Sequence, residues 1–166
     1  MLSRFGQIVK VLPVLAPQDI GATATKTAIV DLKNAHRLTF LIPFGSITAA
    51  SADQAITVTV LAATGAASTG ATAIAFNYRL SSAVATDALG AITAATASGV
   101  SIATTDDNKM LLIDVDPIVA RIANSDDDCQ YVYALITPDG GATATLVSAI
   151  AEIEPRQSQN SMLSAS

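Results

Sequence analysis

Tryptophan is absent from the 166-residue chain, cysteine and histidine occur once each, and three tyrosines and four phenylalanines are the only aromatic residues. A single thiol, Cys129, excludes an intramolecular disulfide framework and any structural zinc site built on several thiolates. Positive charge is scarce: nine Lys and Arg face fourteen Asp and Glu, a net charge of −5, and the sequence pI is about 4.5. So acidic a chain, with its cations spread thinly, is a poor partner for nucleic acid. No run of about 18 apolar residues passes without Thr, Asp, Lys or Gly, which excludes a spanning helix, and no membrane partner is expected. The opening residues carry one Arg and a short apolar stretch broken by Lys10 and Pro13. That is not a signal peptide of the usual form, so the chain is expected to stay in the cytoplasm where it is made.

What is abundant is small. Alanine (32), threonine (18) and serine (14) fill well over a third of the positions. Charged residues make up 14%, far below the usual quarter or so, and the mean hydropathy is +0.47. Thr and Ser hydroxyls must therefore supply much of the wettable surface, or neighbouring subunits must cover part of the apolar surface. We expect self-association, with a homotrimer as the assembly.

Period-2 patterning runs through the chain. In Ile56-Thr57-Val58-Thr59-Val60 the apolar and hydroxyl side chains take opposite faces, the mark of a half-buried strand. Ala71 to Leu80 reads as another strand, with Ile74, Phe76, Tyr78 and Leu80 on its apolar side. Gln7 to Leu15, Lys26 to Leu32, His36 to Phe44, Lys109 to Val115, Tyr131 to Thr137 and Ala144 to Ile153 complete the set. A weaker Ala/Thr-rich strand over Ala91 to Thr105 is interrupted at Ser98-Gly99. Pro13 makes the first strand an edge strand or a bent arm. Pro117 to Ala123 alone suggests a helical turn, with Asp116 as its cap. About eight strands separated by short turns describe an all-β fold, an antiparallel β-sandwich of jelly-roll type. The expected organisation is an N-terminal arm or first strand over 1–21, a sandwich over 22–156 and a mobile polar tail over 157–166.

Catalytic readings fail one by one. Cys129 would need a basic partner to become a nucleophile, and Asp126, Asp127 and Asp128 beside it push a thiol the other way. It reads as a small buried hydrophobe at the start of a strand, and His36 as a strand-entry residue. Asp114 and Asp116 share a strand face and could meet Asp106, Asp107 and the Asp126 cluster around calcium. The spacing is not that of an EF-hand, so they read as acidic turns and a helix cap. Gly65 to Gly70 lacks the Lys and following helix of a phosphate loop, and no Ser stands in a G-x-S-x-G elbow. We expect no enzyme, no cofactor and no metal.

Several segments look familiar. They are Ser3-Arg4-Phe5-Gly6, then Asp31 to His36 leading into Leu38 to Gly45, and Ile56 to Val60. Leu111 to Asp116, Asp128-Cys129, and Ile153-Glu154-Pro155-Arg156 complete them. Across most of the chain this resembles a family of tailed-bacteriophage head proteins, the capsid decoration or cement proteins. The resemblance implies a β-rich virion component on the outer capsid surface, with the major capsid protein as partner. Such a protein holds its neighbours through buried area and strand contacts. In the N-terminal stretch Arg4 can pair with carboxylates and Phe5 can fill a pocket, as interface anchors do, and Ile8 and Val9 extend the same apolar strand. Arg156 either anchors the C-terminal strand or stands in solvent. The alternative reading is a glycan-binding or tail-associated structural module of a phage.

Overall fold

The computed structural model describes residues 9–49, 56–83, 88–123, 129–139 and 142–156. In chain order the strands are β1 (Lys10–Asp19), β2 (Thr25–Lys26), β3 (Val30–Asp31), β4 (Ala35–Ala49), β5 (Ile56–Ala63) and β6 (Thr72–Ile74). They continue with β7 (Phe76–Leu80), β8 (Thr93–Ala95), β9 (Val100–Ile102), β10 (Met110–Val115), β11 (Tyr131–Pro138) and β12 (Ala142–Pro155). One 3-10 turn covers Thr104–Asp106 and one short helix, α1, covers Pro117–Ile122.

Every strand pairing is antiparallel, and the strands form two sheets. The first runs β1-β12-β4-β10-β7-β8. The second is built on β2-β11-β5-β6, with β3 also on β11 and β9 also on β5. Leaving aside β7 and β8, this is the jelly-roll wrap. The pairs β1·β12, β2/β3·β11, β4·β10 and β5·β6/β9 wind round one core, while β12·β4 and β11·β5 close the two sheets. The hairpin β7–β8 widens the first sheet by two strands at the free side of β10.

The core lies between the sheets. Leu38, Phe40, Ile42, Leu111, Ile113 and Ala151 point into it from the first sheet. Ile56, Val58, Val60, Val132 and Ile136 meet them from the second, all fully buried or nearly so. With so few aromatic rings, close packing rests on β-branched side chains and alanine, which fit a pleated surface.

Two expected strands are each divided. Ala71 to Leu80 is β6 and β7 on different sheets: Ile74 pairs with Val60, while Phe76 pairs with Ala95. Both inner faces look onto one core, so a chain that changes sheet at Ala75 keeps its period-2 pattern. Ala91 to Thr105 divides in the same way into β8 and β9, and the crossing uses Gly99 at φ +87°. The Lys26 to Leu32 stretch forms only β2 and β3, while β4 outruns its expected end at Phe44 and reaches Ala49. Of the expected arm, residues 10–19 are the edge strand β1, whose register slips on either side of Leu15, after Pro13. The expected tail over 157–166 lies outside the described residues.

Helix α1 starts where the sequence says it should. The Asp116 carboxylate accepts from the Ile118 N–H at 2.8 Å, Pro117 occupies the first turn, and Pro117 and Ala120 are buried. Ile118 and Ile122 are left more than half exposed.

Candidate functional site

At one end of the first sheet, where β4 begins and β10 and β12 end, an open cleft of about 500 Å³ is lined by His36, Arg37, Asp114, Asp116 and Arg156, with Ile92 and Ile118 at its lips. Arg37 places Nη2 2.7 Å and Nε 3.2 Å from one Asp114 oxygen, and the Thr39 hydroxyl donates to that oxygen at 2.9 Å. Arg156 is exposed and yet anchored: its Nε donates to the Ala35 carbonyl at 3.0 Å, and its backbone N–H donates to the Asn34 carbonyl at 2.9 Å. Both sequence readings of Arg156 thus apply to different parts of one residue. His36 is exposed at the second position of β4, a strand-entry residue as expected.

The cleft's polar groups are already engaged in the fold's own bonds. Asp114 is held by Arg37 and Thr39, Asp116 by the helix it caps, and Arg156 by Ala35. Asp106 and Asp107 are also tied down. Asp106 pairs with Lys109 at 2.8 Å and accepts from the Ala103 N–H, and the Asp107 carboxylate accepts from the Ile47 N–H at 2.7 Å. Asp126, Asp127 and Asp128 lie outside the described residues. Among the described residues no three His, Cys, Asp or Glu side chains gather as metal ligands. Cys129 is fully buried just ahead of β11. No helix among the described residues is long and apolar enough to cross a membrane.

A second surface, the outer face of the first sheet, adjoins the cleft and shares Asp114 and Asn77 with it. The outward positions of the first sheet line up by register as Pro13, Ile150, Leu41, Leu112 and Arg79 across β1, β12, β4, β10 and β7. The neighbouring row reads Val11, Glu152, Thr39, Asp114 and Asn77. Leu41 and Leu112, direct register partners, are half-buried, while Val11 is 43% and Ile150 37% exposed. Outward positions of a solvated antiparallel face are ordinarily polar, so this row departs from the rule, as Leu61 and Leu135 do more locally on the second sheet.

Of the expected interface residues, Arg4, Phe5 and Ile8 lie outside the described residues. Val9 stands half-buried immediately before β1, and Arg156 is at the cleft, on the same end of the sheet that β1 and β12 share. Ile92, Asn77 and the Leu41–Leu112 pair were not singled out as functional by the sequence. The signal for the pair was present: Phe40-Leu41-Ile42 and Leu111-Leu112-Ile113 are unbroken apolar runs where a half-solvated strand alternates. No protein-family model matches the chain, and no curated protein matches it.

Proposed function

We propose that the chain is a noncatalytic structural protein of a virion, a decoration or cement protein that binds the major capsid protein on the outer surface of a phage head and associates with itself. The observation that carries this reading is the apolar row on an outward sheet face of a jelly roll, a wrap that capsid domains use repeatedly. Exposed apolar patches rimmed by polar residues mark protein contacts. The sequence segments that resemble phage head proteins point the same way. Work of this kind is done by buried area and a rigid β core and asks for no turnover. Fold analogy alone would not carry it, because jelly rolls also serve as lectin domains.

The test is cryo-electron microscopy of the particle whose genome encodes the chain. The expected result is jelly-roll density seated on the outside of the shell, in contact with the major capsid protein. A chain located in the tail, or found nowhere on the particle, overturns the proposal.

A further inference from the structure

We infer that the outer face of the first sheet is an interface between two copies of this chain, stacked face to face about a two-fold axis that runs along the strands between β4 and β10. The strand order makes this face self-complementary. Three strands lie on each side of the β4/β10 seam, β12 and β1 on one side and β7 and β8 on the other beyond the seam strands themselves. A two-fold along the seam sets β12 of one copy over β7 of the other and keeps each residue's position along the strand. Leu41 of each copy then rests on Leu112 of its neighbour, because the two are direct register partners on the seam.

Two charges without a partner on this face agree with the same axis, while Asp114, on the seam itself, is paired with Arg37 within its own copy. Arg79 stands in the apolar row on β7, one strand from the seam. Glu152 stands on β12, one strand from the seam on the other side and one row along. Neither has an ion-pair partner among the described residues. The two-fold carries Arg79 onto the partner's β12, about 7 Å along the strand from Glu152, a span that an arginine side chain covers. Two such pairs form, one on each flank of the leucines.

Area selects this centred arrangement over a partial one. The overlap is limited strand by strand to the six residues of β10, the five of β7 and the three of β8, once on each side of the axis. With strands about 4.8 Å apart and about 3.3 Å per residue, the flat footprint is about 450 Å² before corrugation, against about 800 Å² of accessible surface per partner in a standard interface. Full-width overlap comes nearest to that figure. The result is a dimer in place of the homotrimer expected from the sequence.

Sedimentation velocity of the full chain, from micromolar to sub-millimolar concentration, reads the outcome. The wild type is expected to reach the dimer mass, and Leu112→Glu to weaken association at least about tenfold by setting a carboxylate against Leu41 in a dry contact. Arg79→Glu is expected to weaken it as well, and the double change Arg79→Glu/Glu152→Arg to restore it. A monomer at every concentration, a trimer, or a dimer unmoved by these single changes overturns the inference, and a double variant that fails to recover overturns the axis. The virion proposal is judged separately: a monomer found on capsids refutes the pairing alone, and a dimer missing from particles refutes the virion role alone.

Discussion

Replacing Gly99 with alanine probes the crossing by which β8 on one sheet becomes β9 on the other. Gly99 has φ +87°, and a methyl group built there stands 2.4 Å from the Val58 carbonyl oxygen and 2.6 Å from Thr59 Cγ2. Two costs add. Left-handed backbone costs an L residue about 1–2 kcal/mol. The steric cost arises because carbon and a carbonyl oxygen approach no closer than about 3.3 Å even in favourable contacts. Val58 cannot retreat: it is fully buried in β5, paired to Ile136 on one side and Val100 on the other. Overpacking against such a site costs about 1–3 kcal/mol, so the total is about 2–5 kcal/mol out of the 5–15 kcal/mol typical of a domain. Gly21→Ala is the control. Gly21 has φ +52° with nothing within 4 Å of the added methyl, so only the backbone cost of about 1–2 kcal/mol remains. Urea unfolding followed by circular dichroism, with equal m-values for all three proteins, measures the difference. Equal losses in the two variants would refute the close approach of Gly99 to β5.

Two further predictions concern the junction of β1 and β12. The Asp19 carboxylate accepts from the Thr145 N–H at 2.8 Å and the Gly21 N–H at 2.9 Å; these bonds, Thr145's first, hold its carboxyl below the ordinary value against a small opposing effect of desolvation. A folded pKa below the unfolded one, about 3.9, gives stability that is present above that value and lost as pH falls through the folded one. Asp19→Asn should therefore be less stable than wild type at neutral pH, with the gap closing below about pH 4, and urea midpoints that keep a constant gap across pH refute this. Thr145 itself is fully buried, and its Oγ1 has no hydrogen-bond partner among the described residues. Thr145→Val, which keeps the shape and removes the stranded hydroxyl, should raise stability by about 1 kcal/mol; a lower urea midpoint would show that the hydroxyl is satisfied.

Local signals made much of the fold legible. Ile56, Val58 and Val60 alternate with threonines and do face the core, and Asp116-Pro117 caps α1 as a cap-and-proline pair should. Legibility fails where the decisive fact is non-local. Nothing around Ala75 says that the chain leaves one sheet for the other, because inward residues of both sheets look the same from within the sequence. The cleft is assembled from the start of β4, the end of β10 and the residue after β12, so Asp114 and Arg37 meet only through the β4·β10 pairing. Asp114, Asp116, His36 and Arg156 were each noticeable as chemistry-bearing side chains, but not as neighbours. The apolar row was visible as two unbroken runs, Phe40 to Ile42 and Leu111 to Ile113, whose meaning required knowing that they are paired in register.

The contrast between the two outer faces separates the roles of the sheets. On the second sheet Thr57 and Thr59 present hydroxyls from β5, and Lys26 lies 5.8 Å over the Tyr133 ring while its Nζ donates to the Ser68 hydroxyl at 2.9 Å. Ring and cation there cover each other, and Tyr133 is 6% exposed. On the first sheet Leu41, Leu112 and Ile150 share one row, with Arg79 beside Leu112 and Glu152 one row along. Leu61 and Leu135 also point outward, half-buried, on the second sheet, where Thr59 and Lys26 flank Leu135 in its row. On the first sheet Pro13, Ile150, Leu41 and Leu112 run unbroken across four strands, and leaving Val11 and Ile150 in water costs about 25 cal/mol for each Å² that a partner could cover.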